Sequence, residues 1–78
     1  MPQYAYEPGD EVYVVDAFMC CIQQCRVIRP LGHSLYEVCL WKNYDADRFM
    51  GFSVTNDSMV KDSKMAIALL NQRIKEMN

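Results

Sequence analysis

The chain has 78 residues, 51% of them hydrophobic, and a formal net charge of -2. That length holds one domain, and the hydrophobic share rules out an intrinsically disordered chain. Residues 1–40 carry two basic and five acidic side chains (-3) and residues 41–78 carry six and five (+1), so neither half offers the positive field that condenses onto a phosphate backbone.

A domain this small buries only about 60% of the surface its unfolded chain exposes. Stability therefore requires nearly every large apolar side chain to be inside or covered by a partner. No apolar stretch approaches the length needed to cross a bilayer, and the N-terminus lacks the basic and apolar segments of a signal peptide. The expected location is the cytoplasm, or the host cytoplasm for a phage-encoded chain.

Pro8-Gly9-Asp10 is a turn signal ahead of an apolar run. Glu11 to Val15 follows, rich in β-branched and aromatic side chains, and reads as a first strand. A connection from Asp16 to Cys21 holds Phe18 and Met19, and its length favours a strongly curved sheet. Residues 22–29 form a second strand with Gln24, Arg26 and Ile28 on one face and Cys25 and Val27 on the other. Pro30-Leu31-Gly32-His33-Ser34 turns the chain, with His33 as an exposed turn residue. A third strand at 35–41 returns antiparallel, aligning Tyr36, Val38 and Leu40 opposite Leu35, Glu37, Cys39 and Trp41.

Extended character resumes over 48–55, where Gly51 marks a bulge or tight bend. A very short strand at 59–60 precedes a helix over 63–77. Asp62 or Ser63 caps that helix by accepting a free backbone N–H of its first turn. Ile67, Leu70, Ile74 and Met77 make its apolar stripe, flanked by Ala66, Leu69 and Arg73. Short strands joined by turns and followed by one helix give an α+β fold, mostly β, in a single domain covering 1–78.

No chemistry-bearing constellation emerges from the residues. Cys21 and Cys25 are spaced as one zinc-ligand pair that Cys20, Cys39 and His33 could complete. Adjacent Cys20 and Cys21 project in different directions in an extended chain, however, and a second pair is absent. The cysteines flank a strand rather than a helix start, so they read as free thiols packed as small hydrophobes. Asp45 with Asp47 and Asp10 with Glu11 have no apolar surroundings to raise a carboxyl pKa. Gly9, Gly32 and Gly51 are isolated and form no phosphate loop. The expectation is a protein that is not an enzyme and has no cofactor or metal.

The run Pro8 to Val15 resembles the opening strand of Src-homology-type (SH3-like) and Tudor-like small barrels. Gln24 to Ile28 and Tyr36 to Leu40 resemble their central hairpin. Met59-Val60-Lys61-Asp62, then Met65-Ala66, is similar to the end of short bacterial and bacteriophage proteins of this type. The resemblance implies an SH3-like barrel capped by the C-terminal helix, and a binding module by fold analogy. For methyl-lysine reading it would require an aromatic cage, for which Tyr13, Trp41 and Tyr44 are the candidates.

The sequence thus points to an interaction module that binds a protein or peptide, including a second copy as a homodimer, through Phe18, Trp41, Tyr44 and Tyr13. One alternative is weak single-stranded nucleic-acid binding, with Arg26, Lys42 and Arg48 on phosphates, which the net charge disfavours. The other is a structural subunit of a homo-oligomer.

Overall fold

A computed structural model describes residues 6–32, 34–43 and 51–77. His33, Tyr44, Arg48 and the expected opening of the fourth strand at 48–50 lie outside the described residues. Five strands are present: β1 Glu11–Asp16, β2 Cys21–Pro30, β3 Leu35–Leu40, β4 Phe52–Thr55 and β5 Met59–Val60. Helix α1 spans Ser63–Met77, and short 3-10 turns occupy Trp41–Asn43 and Asn56–Ser58. The sheet is antiparallel in the order β4-β3-β2-β1-β5 and curls into a half-barrel.

Directly opposed residues in neighbouring strands share a face. Val12, Cys25 and Leu40 line up across β1, β2 and β3, and Val27, Val38 and Phe52 across β2, β3 and β4. Val14 stands opposite Met59. These rows form the core, a cluster of Val12, Val14, Cys25, Val27, Tyr36, Val38 and Met59 with Tyr6, Leu40, Phe52 and Val54 packed against it. The apolar stripe Tyr36, Val38, Leu40 is thus the inner face of the curl.

Two irregularities bend the sheet. Gly9 has φ 92°; its N–H donates to the Val27 carbonyl at 2.8 Å, while the Val27 N–H donates to the Asp10 carbonyl at 3.0 Å. That is a bulge with glycine in the left-handed position, and it raises the local twist. A second register shift falls between Val27 and Arg29. Tyr6 closes the same region, its hydroxyl donating to the Met59 carbonyl at 3.0 Å and its ring edge-on to Tyr36 at 5.4 Å.

The helix lies against β1, β2 and β5. Val15, on the opposite face from Val12 and Val14, is buried there, as is Ala66. Asp62 is the cap, its Oδ1 accepting the Lys64 N–H at 2.8 Å. Arg73 ties the helix to the second 3-10 turn, donating to the Asp57 carbonyl at 2.8 Å.

Three sequence expectations require correction. The connection between β1 and β2 is not long: both strands extend, and Asp16 pairs with Cys21 across a hairpin turn of residues 17–20. The third strand stops at Leu40, so Trp41 starts a 3-10 turn rather than ending the strand. The packed side of the helix is Ala66, fully buried, with Leu69, Leu70, Arg73 and Ile74 half-buried, so the expected stripe holds at Leu70 and Ile74 but not at Ile67 and Met77. Ile67 lies about 100° round the helix from Ala66, and it and Met77 are 53% and 55% exposed.

Candidate functional site

The β1–β2 hairpin presents its apolar residues outward. The Asp16 carboxylate accepts the Met19 N–H at 3.2 Å, and the Cys20 N–H donates to the Ala17 carbonyl at 3.3 Å, closing a tight turn. Cys20 then takes the left-handed conformation at φ 51°, which returns the chain into β2. Phe18 and Met19 occupy the tip and are 89% and 72% exposed. Beside them lies the C-terminal end of the helix, so that Ala17, Phe18, Arg73, Glu76 and Met77 surround a cavity of about 220 Å³. Two elements distant in sequence thus place Phe18, Met19 and Met77 at one end of the molecule.

The other expected site residues sit elsewhere. Trp41 is half-buried at the end of β3 and carries the Arg26 guanidinium 3.7 Å from its ring centroid. Arg26 also reaches Glu11 at 3.7 Å. One expected phosphate contact therefore covers a face of one expected stacking ring and pairs with a carboxylate. Trp41 and the exposed Lys42 join Gln23, Gln24 and Leu40 around a shallow cavity of about 290 Å³. Tyr13 is half-buried in β1, opposite Gln24 and Val60. The structure brings Arg26, Trp41 and Lys42 together and leaves Phe18 apart from them.

A third concavity follows from the incomplete curl. Val14, Asp16, Gln23, Phe52, Val54 and Ser58 border a groove of about 370 Å³ between β4 on one side and β1 with the second 3-10 turn on the other. Phe52 and Val54 share the inner face of β4, and Ser53 and Thr55 also border the groove.

No family model, curated protein or solved structure matches the chain.

The thiols divide by burial. Cys25 and Cys39 are fully buried. Burial pushes the Cys25 thiol up to about 11, and the neighbouring Cys39 adds to the rise. Cys39 is raised by burial too, against an opposing pull from Arg26. Both are kept protonated, the state in which a thiol is a poor nucleophile. Cys20 is exposed, and Cys21 half-buried. Among the described residues no polar or charged side chain is buried, and no three His, Cys, Asp or Glu side chains converge in a way that could hold a metal ion. No described helix is long and apolar enough to cross a membrane.

Met19 and Met77 were missing from the sequence-derived surface. Met77 fits the helix stripe by spacing, and nothing in that spacing shows that the end of the helix lies beside the hairpin turn. The usable signal for Met19 is its place beside Phe18 between two strands of opposite direction, since a hairpin tip has no interior to point into.

Proposed function

We propose that this chain is a non-enzymatic protein-interaction module of the small SH3-like barrel type, docking through the apolar end formed by Phe18, Met19 and Met77. The observation that carries this reading is the joint exposure of those three side chains. They expose on the order of 450 Å², which matches the largest apolar patches of monomeric proteins, commonly functional ones. An area this small falls well short of the roughly 800 Å² per partner of a standard stable interface, which favours a reversible partner over a permanent assembly.

Nucleic acid is the weaker reading. Arg26 is engaged with Trp41 and Glu11, and the charged groups at the apolar end are one of each sign, Arg73 and Glu76.

The test compares the unmodified chain with Phe18→Asp in affinity capture, with melting followed by circular dichroism. The variant should lose the captured protein while its stability stays within about 0.5 kcal/mol, as expected of an exposed position. Equal capture by both chains would overturn the reading. So would salt-sensitive binding of a single-stranded oligonucleotide with no protein captured.

A further inference from the structure

We propose that the outer edge of β4 accepts an extended peptide as an added strand, with the peptide's alternate apolar side chains filling the groove beneath it. This surface is separate from the apolar end, and the proposal does not depend on that reading.

The direction of the backbone groups specifies the occupant. The Asn56 N–H donates to the Ser34 carbonyl at 2.8 Å, which makes Ser34 and Asn56 a hydrogen-bonded pair. In an antiparallel ladder such pairs alternate with non-bonded ones. Tyr36–Val54 and Val38–Phe52 are then bonded pairs, and Leu35–Thr55 and Glu37–Ser53 are not. Phe52 and Val54 therefore spend their N–H and C=O groups on β3, while Ser53 directs both of its groups, and Thr55 its N–H, away from it; the Thr55 carbonyl is taken by the first bond of the following 3-10 turn. Among the described residues, β4 pairs with β3 alone. A row of outward backbone groups at strand spacing is matched by another extended chain and by little else.

The edge sequence Phe52-Ser53-Val54-Thr55 is also free of charge and proline, which commonly blunt strand edges. Below it, the groove has an apolar floor of Val14, Phe52 and Val54 with polar groups at Asp16, Gln23 and Ser58. Its volume of about 370 Å³ is at the small end of binding clefts. Phe52 and Val54 are spaced two apart, so an added strand in register drops every second side chain between β4 and β1. The fitting ligand is an uncharged extended segment with alternating apolar residues, belonging to a partner's tail or loop.

The probe is a randomised short-peptide library displayed on phage and selected against the full chain, followed by synthesis of the enriched peptide. Proline at 53 removes an outward donor without touching the β3–β4 ladder, a substitution that edge strands tolerate. Ser53→Pro should weaken the peptide by at least about tenfold, as expected for loss of a backbone hydrogen bond and its alignment, whereas Phe18→Asp should leave it unchanged. On the unmodified chain, the peptide should slow amide exchange at Ser53 and Thr55. That measurement decides the matter if Ser53→Pro does not fold. The proposal is overturned if no peptide is enriched, if both amides exchange as before, or if Phe18→Asp abolishes binding that a folded Ser53→Pro retains.

Discussion

Raising the pH from neutral to 11 should destabilise this domain through Cys25, and the magnitude follows from the structure. Cys25 is fully buried, and its thiol is lifted from 9.0 to about 11. The unfolded chain therefore releases this proton first as the pH rises. Where the native state holds more protons than the unfolded one, stability falls with pH. The contribution is complete below about pH 9 and gone above about 11, a loss of about 3 kcal/mol. With a urea dependence of about 1 kcal/mol per molar for so small a chain, the midpoint should drop by about 3 M.

Cys39 and Tyr6 are also raised by burial and act in the same direction, so the unmodified chain alone does not isolate Cys25. Cys25→Val adds one heavy atom to a buried site and should cost about 1–3 kcal/mol at pH 7, while removing the titrating group. Urea midpoints of the two proteins, taken in reductant from pH 7.5 to 11, should converge as the pH rises. Parallel curves across that range would refute the reasoning, because they would mean Cys25 ionises equally easily in both states.

Two further outcomes rest on local geometry. Cys20→Gly should stabilise the domain by about 1 kcal/mol, since φ 51° costs a side-chain-bearing residue but not glycine; an unchanged urea midpoint would mean the turn relaxes in solution. Tyr6→Phe keeps the edge-on contact with Tyr36 but loses the hydroxyl bond to Met59. It should cost about 1 kcal/mol, measured by thermal melting, and no loss would show that water replaces that bond without penalty.

Much of the fold was legible because it depends on local alternation. Val12 and Val14 in β1, Cys25 and Val27 in β2, and Tyr36 and Val38 in β3 mark an inner face by a period of two, and the Asp62 carboxyl identifies a helix start through its capping chemistry. What escaped depends on distances between elements. Spacing around the helix favours Ile67, Leu70, Ile74 and Met77 equally as a packed stripe, and only its placement against β1, β2 and β5 shifts the packed side toward Ala66 and leaves Ile67 and Met77 exposed. Trp41 alternates correctly with Cys39 for a strand, yet the chain turns at that point. The candidate surface was half legible: Phe18 was readable as a loop aromatic, while Met77 joined it because the end of the helix lies beside the hairpin turn, which periodicity does not encode. Arg26 and Trp41 were each readable as binding groups, but not as partners of one another.

The attachment of the helix has a consequence for how the molecule breathes. Ala66 is its one fully buried residue among those described, and Arg73 on Asp57 is its polar tether. With Leu69, Leu70 and Ile74 only half-buried beside it, the helix has a lower opening free energy than the strands, whose ladders share one core. Transient detachment would bare Val15 and its neighbours while the β-sheet stayed whole. The same chain would then show two apolar faces on different timescales, one at the hairpin tip permanently and one under the helix intermittently.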